Sequence, residues 1–169
     1  RPGSTNNVLD HVSIRNAGIG LWVAGEGTGD ASEVTIRNTQ IYNSSVTGLL
    51  AQNAAIAAEN LIINNSGQSS LHITLGGSYS FRHSTFANFW NQGYRTYPAV
   101  LIENFLETAE QLYVSDLNKA DFSNCIIYGN QDQELLLFSE GSEKFNFSFS
   151  ATAAIRSFSR VYCFSIVSL

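Results

Sequence analysis

Val34-Thr35-Ile36-Arg37-Asn38-Thr39-Gln40-Ile41 and, 22 residues on, Ile56-Ala57-Ala58-Glu59-Asn60-Leu61-Ile62-Ile63 share one spelling, apolar-x-apolar-x-Asn-x-x-apolar. It returns as Tyr79-Ser80-Phe81-Arg82-His83-Ser84-Thr85-Phe86 and as Ala120-Asp121-Phe122-Ser123-Asn124-Cys125-Ile126-Ile127, with His83 standing once for Asn. Upstream, Val12-Ser13-Ile14-Arg15-Asn16-Ala17-Gly18-Ile19 reads as a fifth copy. Starting positions 12, 34, 56, 79 and 120 are 22, 22, 23 and 41 residues apart, so the last interval is one repeat carrying an insertion. A fixed period of this length marks a stacked repeat architecture.

A second motif keeps the same step: Gly20-Leu21-Trp22-Val23, Gly48-Leu49-Leu50-Ala51, Ser70-Leu71-His72-Ile73, Ala99-Val100-Leu101-Ile102 and Glu134-Leu135-Leu136-Leu137. Each unit therefore holds a Gly-Leu strand, a Val-x-Ile strand and a third strand around Ile41, Ile63, Phe86 or Ile127. Apolar residues alternate with polar ones over short runs, and no repeat carries the i, i+3, i+4, i+7 spacing of a helix. Sixteen asparagines against two prolines, with few charged helix formers, favour the same strands and turns.

The physical solution is a coil with three strand faces, stacked about 4.8 Å from the next so that equivalent strands pair in parallel. Val12, Ile14, Val34, Ile36, Ile56, Ala58, Tyr79, Phe81, Ala120 and Phe122 then point inward as apolar columns. The bend after each Val-x-Ile strand needs a left-handed backbone, which Asn tolerates. Asn16, Asn38, Asn60, His83 and Asn124 are therefore expected to stack as an internal ladder, the plainer alternative being five surface side chains in unrelated turns.

With these motifs the chain resembles a right-handed parallel β-helix of the pectate-lyase-like superfamily, over roughly residues 8–138, and is similar to β-helix repeat proteins of Bacteroidetes-type bacteria. The resemblance implies a secreted or cell-surface protein that acts on or binds polysaccharide, although one fold hosts many functions. The expected architecture is all-β: a single-stranded right-handed parallel β-helix of about five coils, three strands each and roughly 22 residues per coil, occupying residues 1–150.

The ends read differently from the middle. The chain starts at Arg1 without methionine and almost directly in a coil, which predicts a piece incomplete at its N-terminal end. Phe145, Phe147 and Phe149 begin a sixth strand, whereas 151–169 has lost the register and reads as an atypical tail, capping or non-native. Within it Ala151 to Phe158 has the composition of a short helix, and Val161 to Val167 would be sticky if exposed.

Composition excludes several classes. With 169 residues, 44% hydrophobic and 14% charged, the chain can bury one core. No apolar run approaches the roughly 18 residues of a membrane span. A net charge of −5 gives no footprint for nucleic acid. Cys125 and Cys163 are too few for a disulfide scaffold and read as unpaired thiols. No zinc spacing, phosphate loop or nucleophile elbow occurs, so neither metal nor cofactor is expected, and Gly25-x-Gly27-x-Gly29-Asp30 reads as a turn.

Chemistry is sought on the loops and the outward columns. Phe89 to Tyr97 is aromatic, and Trp90, Tyr94, Arg95 and Tyr97 are its ligand candidates, with rings that either stack on sugars or anchor the loop. Glu103 to Lys119 is acidic, with Leu106, Leu112 and Val114 as anchors. The resemblance directs attention to the outer face of the Gly-Leu strand, where Trp22, Leu50, His72, Leu101 and Leu136 form the central column. Gly20, Gly48, Ser70, Ala99 and Glu134 are expected on one side, and Ala24, Gln52, Thr74, Glu103 and Phe138 on the other.

That face lacks the paired carboxyls of a glycosidase and any Lys or Arg. His72 with Glu103 is the one candidate for a general base, the alternative being solvated neighbours. Trp22, Leu50, Leu101 and Leu136 would make an apolar stripe needing a cover, from a second subunit, the tail or a loop. On the Val-x-Ile face, Arg15, Arg37, Glu59, Arg82 and Ser123 are either an anion site or a self-neutralising ladder. The functional expectation is a non-catalytic binding or assembly module for polysaccharide. The alternatives are a fragment of a polysaccharide lyase or glycoside hydrolase, and a structural β-helix that forms homo-oligomers through open coil ends or the leucine stripe.

Overall fold

Along Val34–Ser44 the buried positions are Val34, Ile36, Thr39, Ile41 and Ser44, so the alternation slips by one residue at Asn38. Asn38 carries a φ of 49°, and the strand bends there onto a new face without breaking. The same device recurs through the computed structural model of the chain, which describes residues 4–25, 33–155 and 162–163.

The strands are β1 (Asn7–Asp10), β2 (Ser13–Arg15), β3 (Ile19–Ala24), β4 (Val34–Ser44), β5 (Thr47–Ser66), β6 (Leu71–Arg82), β7 (Thr85–Asn88) and β8 (Val100–Glu103). They continue as β9 (Phe105–Glu107), β10 (Leu112–Val114), β11 (Leu117–Ser123), β12 (Ile126–Gly129), β13 (Leu135–Ser139), β14 (Phe145–Ser150), β15 (Ala153–Ile155) and β16 (Tyr162–Cys163). The first face stacks Trp22, Leu50, His72, Leu101 and Leu136 in register. On the second, Leu9, Ile36, Ala58, Phe81, Phe122 and Phe149 follow one another, and on the third Ile14, Ile41, Ile63, Phe86 and Ile127. All these pairings are parallel, so the chain is an all-β parallel β-helix with three faces. Among the described residues no helix is long and apolar enough to cross a membrane.

The interior is a set of like-on-like columns. Phe81, Phe122 and Phe149 stack with successive ring centroids 5.0 Å apart, and Phe86 meets Phe81 and Phe122 edge-on. At the corner between second and third faces, Asn38, Asn60, His83 and Asn124 all have φ between 49° and 54°. The Asn60 amide donates to Asn38 Oδ1 at 2.9 Å, and the Asn38 amide to Asp10 Oδ1 at 3.0 Å. One residue further, three of four coils bury a hydroxyl or thiol that periodicity did not single out, Leu61 standing between Thr39 and Ser84. The hydroxyls of Thr39 and Ser84 turn back to the carbonyls of Arg37 and Arg82, and Cys125 Sγ does the same to Ser123.

Two expectations about register are corrected. Ser13-Ile14-Arg15 pairs with Gln40-Ile41-Tyr42 on the third face, and it is Asn7–Asp10 that pairs with Val34–Arg37. His11 (φ 56°) therefore takes the place beside Asn38, while Asn16 belongs to another corner with Asn43 and Asn65 (φ 58°, 56° and 52°). Polar Asn7 at an inward position hid the true first strand from a hydrophobic pattern. Arg15 also leaves the charged column, which runs Asp10, Arg37, Glu59, Arg82 with alternating sign.

The second correction is at the tail. Parallel pairing continues past residue 150, with Ala153–Ile155 on β12 and Tyr162–Cys163 on β13, so the helix expected from Ala151 is a strand where it is described. The rest of that stretch (156–161 and 164–169) and most of the glycine-rich turn (26–32) lie outside the described residues. The acidic insertion folds as an antiparallel hairpin, β9 with β10, whose Leu112 and Val114 are exposed and do not anchor it.

Candidate functional site

Strand β8 is the only stretch of first face bracketed by insertions among the described residues: the aromatic loop 89–99 enters it and the β9–β10 hairpin leaves it. Each insertion is rooted by a buried asparagine. Asn88 Oδ1 accepts from the Ser66 and Trp90 amides at 3.0 and 3.3 Å, and its Nδ2 donates to the Gln68 carbonyl at 2.8 Å. Asn104 Nδ2 donates to the Glu140 carbonyl and to Ser142 Oγ, while its Oδ1 accepts from the Glu140 amide. Both satisfy backbone groups that a departing chain would otherwise strand without partners.

The loop is fastened by Arg95. Its Nη1 and Nη2 donate to Glu134 Oε2 and Oε1 at 2.9 and 2.6 Å, a two-pronged pair inside the protein. The guanidinium also donates to the carbonyls of Tyr97 and Asn88 and to Asn130 Oδ1, at 2.6, 3.0 and 2.7 Å. Glu134 in turn accepts the amides of Ala99 and Gln131, each at 2.7 Å. A buried charge pair is tolerated when most of its remaining donors and acceptors are filled in this way, and here the buried Arg95 Nε alone is left without a partner. Gly129 makes the room, since a Cβ there would overlap the Glu134 carboxylate.

Arg95 is therefore removed from the ligand candidates: its charge is spent within the fold. Trp90 is half-buried beside Gly67, where an added Cβ would lie 3.6 Å from its ring, and Phe89 packs edge-on to Tyr128 at 4.9 Å. Tyr97 is exposed, and Tyr94 is 92% exposed. The loop thus half-buries Trp90, rests the exposed Phe89 against Tyr128, and leaves Tyr94 and Tyr97 exposed above the Arg95–Glu134 pair.

On the first face, His72 Nε2 and Glu103 Oε2 are 2.9 Å apart and both side chains are partly buried. Thr74, beside them, donates its hydroxyl to the Phe105 carbonyl at 2.7 Å. The central column is not uniformly exposed: Trp22 is 60% accessible, Leu50 and Leu136 are intermediate, and Leu101 is 3% accessible. The flank expected to face outward, Gly48, Ser70, Ala99 and Glu134, is buried at the corner instead. The Ser70 carbonyl comes within 2.6 Å of where a Cβ on Gly48 would be, which explains the glycine. Chemically the accessible side of this face offers, among the described residues, one imidazole, one carboxylate and no Lys or Arg. Among the described residues no group of three His, Cys, Asp or Glu is placed to hold a metal. Asn88 and Asn104 were missed in the sequence, where only their failure to fit the apolar pattern marked them, and Glu134 was placed on the outward flank instead of at the buried corner.

Parallel coils, corner asparagines and loops thrown from the two edges of one face define a β-solenoid. The chain belongs to the right-handed β-helix region family, whose model matches residues 3–151. No curated relative and no solved structure matches it.

Proposed function

We propose that the chain is a non-catalytic polysaccharide-binding module of a secreted or cell-surface bacterial protein, within the pectate-lyase-like branch of β-helices. One observation carries this reading. Tyr94 stands 92% exposed on a loop whose base is locked by the buried Arg95–Glu134 pair. An exposed ring on a mobile loop must be ordered on binding, whereas one on a fixed base presents its face at low entropic cost. Tyr94 and Tyr97 are then the platform, with Trp90 at its edge. Affinity electrophoresis against a polysaccharide panel tests the reading. Tyr94→Ala and Tyr97→Ala should each weaken retention roughly fivefold, for about 1 kcal/mol of lost ring contact, and retention unchanged in both variants would refute it.

The alternative of a lyase or glycosidase has the His72–Glu103 contact in its favour, because a carboxylate orients an imidazole for general-base work. Against it stands the lack, among the described residues, of a second accessible carboxylate or of a Lys or Arg on that face. Release of unsaturated or reducing sugar, abolished in His72→Gln, would establish it over the binding reading.

A further inference from the structure

We infer that the polysaccharide taken here is uncharged, a neutral glycan and not a polyuronate; this rests on the reading of Tyr94 and Tyr97 as its platform. The argument is one of charge on three sides. Between Phe89 and Pro98 the single charged residue is Arg95, which is almost wholly buried against Glu134 and three further acceptors. The loop side chains left to meet a ligand beside the tyrosines are Asn91, Gln92 and Thr96, all exposed and all neutral. These groups donate to and accept from sugar hydroxyls, and none supplies the charge-assisted fork that holds a carboxylate.

Across the face the balance becomes negative. Strand β8 is four residues long, about 13 Å, so a sugar chain leaving the loop soon reaches Glu103 and the hairpin beyond it. Glu103 is already engaged with the one imidazole of the face. From Ala99 to Asn118 the sequence has Glu103, Glu107, Glu110 and Asp116 and no Lys, Arg or His. In the following turn on the same edge, Glu140 and Glu143 outnumber Lys144. Of the other cations among the described residues, Arg15, Arg37, Arg82 and Lys119 lie on the second and third faces. Two like charges about 4 Å apart in water repel by about 1 kcal/mol, and the field reaches about 8 Å at physiological ionic strength. A polyuronate would meet that repulsion at each sugar near the hairpin, where among the described residues Lys144 alone stands against Glu103, Glu107, Glu110, Asp116, Glu140 and Glu143. A neutral chain meets none.

The full chain is tested by affinity electrophoresis and calorimetry against neutral polymers (mixed-linkage glucan, xyloglucan, galactomannan, xylan) and against polygalacturonate and alginate. Each is run at about 20 and about 150 mM salt, which brackets the screening range. The expected result is binding to at least one neutral polymer, changed less than about twofold by salt, with no retention by either polyuronate. The double variant Glu107→Lys/Glu110→Lys, on the exposed hairpin tip, should keep the neutral affinity and gain salt-sensitive retention by polygalacturonate. Equal or tighter binding of a polyuronate by the unaltered chain, lost in Tyr94→Ala, overturns the inference and leaves the platform standing. Retention by no polymer, acidic or neutral, removes the platform reading and the inference with it.

Discussion

Arg95 and Glu134, 39 residues apart in sequence, meet through two hydrogen bonds of 2.9 and 2.6 Å with side chains 1% and 2% exposed. Removing one partner strands the other as a buried charge, which costs about 3–5 kcal/mol. Glu134→Ala should therefore lower the melting temperature by roughly 6–20 °C, at about 2–4 °C per kcal/mol for a domain of this size. It should also open the loop to proteolysis, whereas Tyr94→Ala should do neither. The double variant Arg95→Leu/Glu134→Leu should melt above the Glu134→Ala protein and still below the unaltered one, because the amides of Ala99 and Gln131 lose their acceptor. Thermal melts of the set check this. A Glu134→Ala protein that melts with the unaltered chain would show that the pair holds nothing.

The corner at Asn60 gives a second test. Its φ of 54° is in the left-handed region, and its amide donates to Asn38. Glycine restores the backbone freedom but loses the side-chain bond, so Asn60→Gly should cost no more than about 0.5–1.5 kcal/mol. Asn60→Ala adds about 1–2 kcal/mol of left-handed strain, and a β-branched valine should be worse still. The order Asn, Gly, Ala, Val in urea midpoints is the expected outcome. A valine variant as stable as the glycine one would mean that the corner does not depend on this conformation.

How much of this could be read from the chain depends on how local each signal is. The stacking of Trp22, Leu50, His72, Leu101 and Leu136 follows from period-two alternation between corners, and with that register fixed His72 and Glu103 become neighbours. The first coil was misread because Asn7 fills an inward position and the turn before Val34 lengthens its coil to 27 residues. Arg95 looked like a ligand residue because it sits among aromatics, while Glu134, at the start of Glu134-Leu135-Leu136-Leu137, was expected to face outward beside the central column. No pattern of local spacing joins them. Their pairing needs the fold first, since only the closed corner brings Asn88, Ala99 and Gln131 around one carboxylate and one guanidinium.

Phe122 lies at the centre of the aromatic column, stacked on Phe81 and Phe149 and edge-on to Phe86 at 5.8 Å. Phe122→Ala removes a fully buried ring between two coils, at about 3–5 kcal/mol for a Phe-to-Ala change in a core. Phe149→Ala, at the partly buried end of the column, should cost less. Chemical denaturation of both variants measures the difference. Equal losses would mean that the column does not stiffen toward its middle.

Cys125 stands where Thr39 and Ser84 stand in earlier coils, with Sγ directed to the Ser123 and Phe81 carbonyls. Cys125→Ser should accordingly be tolerated, because a serine hydroxyl already makes the same return bond at Ser84. Burial raises the thiol pKa above its ordinary value of 9.0. As pH climbs past that value the unfolded chain releases the proton first, so the native state holds more protons and stability falls with rising pH. The contribution is therefore complete below about pH 9 and fades as pH passes through the raised native value. Tyr79, raised by burial from 10.0, acts in the same direction but starts a unit higher. Urea midpoints should fall more steeply between about pH 9 and 10 for the unaltered protein than for Cys125→Ser. Parallel pH profiles for the two would show that the thiol ionises as freely in the fold as outside it.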